Sequence, residues 1–108
     1  MVKTNEEKRN SYVYAHIKLD KTPIYIGIGR VSNFKRAFNL NGRNNIWNKL
    51  IKKYTIDSVI LYENLTWKEA CEIEINLIKH FGRIDKKTGV LSNLTDGGEG
   101  NLNANFSM

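Results

Sequence analysis

The chain has 108 residues, 41% hydrophobic and 26% charged, which fits one small globular domain with a single core. Its one cysteine, Cys71, excludes an internal disulfide; no apolar run is long enough to span a bilayer, and the opening MVKTNEEKRN has no signal-peptide core, so a cytoplasmic protein that makes no membrane contact is expected. The net charge of +6 is unevenly spread: Lys21 to Ile56 holds no acidic residue but contains Lys21, Arg30, Lys35, Arg36, Arg43, Lys49, Lys52 and Lys53, a one-sided basic segment that attracts polyanions. Nucleic acid is the expected class, since no helix pairs a basic face with an exposed apolar one as a membrane-surface helix does.

Residues 1–10 are polar and are expected to be a flexible arm ahead of a single domain, 11–108. SYVYAHIKL alternates, with Val13, Ala15, Ile17 and Leu19 on one face and Tyr12, Tyr14 and His16 on the other. DKTP is a turn, and PIYIGI alternates again, with Ile24, Ile26 and Ile28 opposite Tyr25 and Gly27. A hairpin follows, its aliphatic faces turned to a core, with Tyr14 and Tyr25 sharing the other face. NFKRAF predicts a short helix capped by Ser32 or Asn33. NNIWNKLIKKY predicts a second, with Ile46, Trp47, Leu50, Ile51 and Tyr54 as its apolar stripe. IDSVILYE predicts a third strand. TWKEACEIEINLIKHFG predicts the longest helix, opened by a Thr66–Glu69 capping box and stopped by Gly82. RIDKKTG is a loop, VLSNL a short extended segment and TDGGEG a turn.

One side chain breaks the pattern. On the last helix Ala70, Cys71, Leu77, Ile78 and Phe81 form the core stripe, and Glu74 falls in its middle. A carboxylate among core residues is costly unless it is paired or coordinates a cation. An ion pair with an arginine and a metal or catalytic carboxylate both fit. YIGIGR, by contrast, is not a phosphate cradle: no helix-opening G-x-G-x-x-G and no Gly-Lys-Ser/Thr is present, and the strand belongs to a hairpin. Cys71, Trp47 and Trp67 are expected in the core, and Asp96 and Glu99 as turn residues.

Together these parts resemble the GIY-YIG nuclease family. YVY (Tyr12–Tyr14) stands for the first motif and YIG (Tyr25–Gly27) is literal. NFKRAF carries the family arginine at Arg36, EIEINLIK its glutamate at Glu74, and LSNLTDGGEG its asparagine at Asn93, in the form found in phage and mobile-element members. The resemblance runs from about residue 11 to about residue 100. It implies an α+β fold with a small three-stranded antiparallel sheet flanked by helices, and a metal-dependent endonuclease. Glu74 would hold one Mg²⁺ or Mn²⁺ ion, Arg36 the phosphoryl oxygens, Tyr14 and Tyr25 the attacking water, and Asn93 would position backbone or substrate. Arg30, Lys35, Arg43 and Lys49 are candidates for the duplex-binding surface.

Three positions depart from the family pattern: Tyr12 replaces the glycine of the first motif, Ile28 follows YIG, and Leu40 stands where many members have a histidine. His16, on the Tyr14 face, is the possible accessory proton carrier. The substrate implied is double-stranded DNA, with RNA open, in a prokaryotic or phage-infected cell. No DNA-reading module of the kind many members append is evident, so weak specificity, recognition of DNA structure, a homodimer and a targeting partner are all open. The competing readings are a nucleic-acid-binding module of the same fold that has lost activity, and a small structural α+β protein.

Overall fold

The computed structural model describes residues 8–31, 33–40 and 43–98. Strand β1 (Ser11–Lys18) lies between β2 (Pro23–Arg30) and β3 (Ile56–Leu65), and both pairings are antiparallel. The β1–β2 turn is held by Asp20, whose carboxylate accepts the Thr22 N–H at 3.0 Å, with Lys21 left-handed. β1 therefore ends at Lys18. Leu19, expected on the core face, is instead 76% exposed in the turn, because the tight reversal stops the alternation before it. β3 runs two residues beyond the expected IDSVILYE, and its register against β1 shifts between Ser11 and Val13 and between Val13 and Tyr14.

Helix α3 (Trp67–Phe81) packs on the aliphatic face of the sheet. Ala70, Cys71 and Ile78 meet Val13, Ala15, Ile26 and Ile28 in one cluster, with Leu77 and Phe81 at its margin. The expected capping box is complete: Glu69 N–H donates to Thr66 Oγ1 at 3.1 Å and Thr66 N–H to Glu69 Oε1 at 2.9 Å, with Gly82 as C-cap. Glu69 also pairs with Arg9 at 2.8 Å, and Val31 N–H donates to the Asn10 carbonyl at 2.7 Å. The last residues of the expected arm are thus tied to the domain, while residues 1–7 lie outside the described chain.

The opposite face is buried as well, which alternation alone did not indicate. Helices α1 (Lys35–Phe38) and α2 (Asn45–Lys53) bring Ala37 and Trp47 onto it, and Tyr12, Tyr14 and His16 have no exposed surface. A central strand covered on both sides needs large residues on both faces, and here one set is aliphatic and the other aromatic. α1 does not start as expected. Its N-cap is Phe34, left-handed with φ 55° and with no side-chain cap, and Ser32 lies outside the described residues. The Phe34 ring meets Tyr12 edge-on at 4.9 Å. That burial offsets the roughly 1–2 kcal/mol of a left-handed non-glycine residue. α2 is capped by Asn44, whose Oδ1 accepts the Trp47 N–H at 2.8 Å.

Candidate active site

β2 is an edge strand, and the segment after α3 covers its outer edge. Ser92 N–H and Oγ both donate to the Ile24 carbonyl, at 2.6 and 2.7 Å. Asn93 acts as a one-residue strand partner: its Oδ1 accepts the Ile26 N–H at 3.0 Å and its Nδ2 donates to the Ile26 carbonyl at 2.8 Å. With its Oδ1 and one Nδ2 hydrogen spent on backbone, Asn93 positions the β2 edge. Asn44 Nδ2 donates to the Ser92 carbonyl at 3.0 Å and ties the same segment to α2. Arg83, 7% exposed, grips it from behind, with both Asp85 oxygens, Asp96 at 2.7 Å and the Leu94 carbonyl at 2.7 Å. Asp96 is therefore an ion-pair partner rather than a plain turn residue, and Glu99 lies outside the described chain.

Asn93→Asp should lower stability by about 2 kcal/mol in urea unfolding, because a carboxylate oxygen would face the Ile26 carbonyl where a donor now stands. A loss under 0.5 kcal/mol would show that the edge clasp contributes little.

Where this segment meets β2 and α3 it leaves a cleft of about 540 Å³. Tyr25, Gly27, Arg36, Arg43, Glu74 and Asn93 line it, with Arg30 and Trp67 at one side. Glu74 is half-buried and is the one carboxylate among the described lining residues, which also include Arg30, Arg36 and Arg43. The cleft is therefore net positive and suited to a phosphate. Glu74 Oε1 accepts the Gly98 N–H at 2.9 Å. Gly97 and Gly98 make that approach with φ 92° and 80°, a conformation few side-chain-bearing residues adopt. The Ile28 side chain belongs to the core. What Ile28 presents to the cleft is backbone, since the alternation that turns the Ile24 and Ile26 backbone groups towards Ser92 and Asn93 does the same two residues on.

Tyr14 stands behind this cleft rather than in its lining. Its ring lies over Gly27, where any Cβ would overlap it. It is diagonal to Tyr25, with ring centroids 6.3 Å apart. Burial first, and the neighbouring Tyr25 next, push the Tyr14 phenol up to about 12, against the lowering pull of Arg43 and then Arg36. Tyr14 therefore keeps its proton at neutral pH.

His16, on the same face, has both ring nitrogens occupied. Trp47 Nε1–H donates to Nδ1 at 3.0 Å, which leaves the proton on Nε2 to donate to the Ala37 carbonyl at 2.8 Å. Burial lowers it from 6.5 to about 4. The neutral ring is the folded form, so stability is full above the unfolded value and falls as pH drops from 6.5 towards 4. The loss should reach roughly 3 kcal/mol. Urea unfolding at pH 7 and pH 4.5 measures it, and His16→Gln should flatten the difference. Equal slopes for both proteins would place the titration elsewhere.

The sequence-derived candidates thus separate. Tyr25, Arg36, Glu74 and Asn93 meet in the cleft with Tyr14 at its back, and His16 is locked to Ala37 and Trp47. Arg30 stacks on Trp67, its Cζ 3.9 Å from the ring centroid; Trp67 is half-buried, packed against the core cluster as expected and also lining the cleft. Lys35 and Lys49 are exposed on α1 and α2, outside the cleft. Arg43, expected on the outer surface, lies over both tyrosines, 5.6 Å from the Tyr14 centroid and 5.2 Å from that of Tyr25. Sequence reasoning missed Asn44 and Arg83. Asn44 was legible as a cap residue just ahead of an apolar stripe; Arg83, in a loop of alternating charge, gave no signal.

No family model, curated protein or solved structure matches the chain. Among the described residues no helix is long and apolar enough to cross a membrane.

Proposed function

We propose that the protein is a divalent-metal-dependent endonuclease of the GIY-YIG type that hydrolyses phosphodiester bonds in double-stranded DNA. What carries this is the convergence of Tyr25, Arg36, Glu74 and Asn93, from β2, α1, α3 and the closing segment, on one positive cleft backed by Tyr14. Among the described residues no three His, Cys, Asp or Glu side chains gather around a cation site. A lone carboxylate beside open space nevertheless suits a cation that keeps most of its waters and takes its other ligands from substrate phosphate. Glu74 would hold Mg²⁺ or Mn²⁺, which when bound supplies charge neutralisation at the phosphoryl and leaving oxygens.

The chain's own groups do the rest. Arg36 is a planar, permanently charged cation suited to pairing with a phosphoryl oxygen. The tyrosine hydroxyls orient the attacking water and hydrogen-bond the phosphoryl group. Water adds its oxygen to phosphorus, one ester P–O bond breaks, and the water's proton is balanced by protonation of the departing alkoxide. The products are a phosphomonoester and an alcohol. Asn93 fixes β2, and with it Tyr25 and the floor of the cleft.

Supercoiled plasmid with Mg²⁺ or Mn²⁺ is the test. Nicking or linearisation that EDTA stops is the expected result. A second reading, a binding module of this fold without activity, draws on the sealed, protonated Tyr14 and on the exposed Leu40 in place of a histidine. Salt-sensitive DNA binding with no cleavage in either metal would select it.

A further inference from the structure

Two buried polar groups beside the cleft, the Tyr14 hydroxyl and Arg43 Nε, have no hydrogen-bond partner among the described residues. Buried donors are nearly always satisfied in folded proteins, and an orphaned one asks for a missing water or ion. Here two occur together, since the Arg43 guanidinium stands over the Tyr14 ring and over Tyr25 beside it.

The rest of Arg43 is anchored. Its Nη2 donates to the Arg36 and Asn39 carbonyls at the end of α1. The guanidinium is thereby fixed to the helix that carries Arg36, and its charge is not spent on any carboxylate in the described chain. Tyr14, which keeps its proton, is a donor too. Two buried donors on neighbouring side chains, one of them cationic, beside a phosphate-sized cleft are what an oxyanion site requires.

We propose that Arg43 Nε and the Tyr14 hydroxyl together form a seat for one non-bridging oxygen of a phosphodiester, which makes Arg43 a catalytic residue and not a cation of the outer duplex surface. The inference rests on the phosphodiesterase reading and assigns Tyr14 a task within it. Arg36 and Arg43, linked through the Arg36 carbonyl, then hold different oxygens of the same phosphate. The charge that builds on those oxygens during attack meets a donor pair already in place.

The test has two arms. In the first, inorganic phosphate is titrated without divalent metal while the ring resonances of Tyr14 and Tyr25 are followed by NMR. Wild type should shift, Arg43→Gln should not, and Lys49→Gln should behave as wild type. The absence of a wild-type shift, or an equal shift in Arg43→Gln, overturns the seat whatever the cleavage assay gives. In the second, the scissile phosphate carries sulfur at one or the other non-bridging position.

For Arg43→Gln the expected result is a kcat lower by about 10²–10³-fold, the range for loss of one oxyanion donor. DNA binding should weaken less than about threefold, and the rate penalty for one sulfur diastereomer should disappear while the other remains. Weaker binding with kcat and both sulfur penalties unchanged would return Arg43 to the outer surface. Arg43→Lys, which keeps the charge and loses Nε, should share the sulfur signature and so separates a lost donor from a fold defect; an intact penalty there overturns the assignment of Nε. A phosphate shift without plasmid cleavage would retain the anion seat and discard the nuclease.

Discussion

Glu74→Gln is expected to abolish plasmid cleavage, lowering the rate by about 10³-fold or more while the protein still folds and binds DNA. The substitution is nearly isosteric, and the amide oxygen can still accept the Gly98 N–H that Glu74 now accepts at 2.9 Å. The turn over α3 should therefore stay closed, and the melting temperature should move by no more than a few degrees. What is lost is the one negative charge of the described cleft, set against Arg30, Arg36 and Arg43. A neutral amide is a poor ligand for a hard cation, and a 10³-fold loss corresponds to about 4 kcal/mol of transition-state stabilisation. DNA binding without metal should hold or strengthen, because removing a carboxylate makes the cleft more positive. Cleavage within tenfold of wild type would remove Glu74 from the chemistry and leave it a structural acceptor for the closing turn.

Trp47→Ala should cost about 3–5 kcal/mol in denaturant unfolding, the range for deleting a large buried aromatic. Trp47 has no exposed surface. It is the main buried contribution of α2, and its indole N–H holds His16 in the tautomer that reaches Ala37. Its removal leaves a cavity and an orphaned acceptor on His16 at once. A domain of this size has about 5–15 kcal/mol in total, so the variant should be partly unfolded at 37 °C. Trp47→Phe fills most of the space and should lose less, with the remaining deficit reporting the lost hydrogen bond. Equal costs for Ala and Phe would show that the polar contact, not the volume, is what matters.

Much of this architecture was legible from local pattern. The alternation in β1 and β2, the Thr66–Glu69 box and the core stripe of α3 are short-range signals, and each appears where expected. Glu74 stood out because a charge interrupted a stripe, a contrast visible without any tertiary knowledge. What was not legible depends on distant partners. Phe34 starts α1 in a left-handed conformation because Tyr12 offers it a ring, which no capping rule contains. Arg43 looked like one more surface cation because nothing local says that two tyrosines lie beneath it. Leu19 continued a periodicity that the turn geometry had already ended.

The clasp on β2 also has a consequence in time. Ser92 and Asn93 bond partners 68 and 67 residues earlier, and Gly98 reaches back 24 residues to Glu74. Contacts of such separation close late, after the local helices and the hairpin have formed. A nascent chain still short of residue 98 already carries Tyr14, Tyr25, Arg36 and Glu74 but has no finished cleft to gather them. Under the proposed nuclease function the cleft would stay unassembled until the turn at Gly97 and Gly98 settles over α3, so activity would be among the last properties the folding domain acquires.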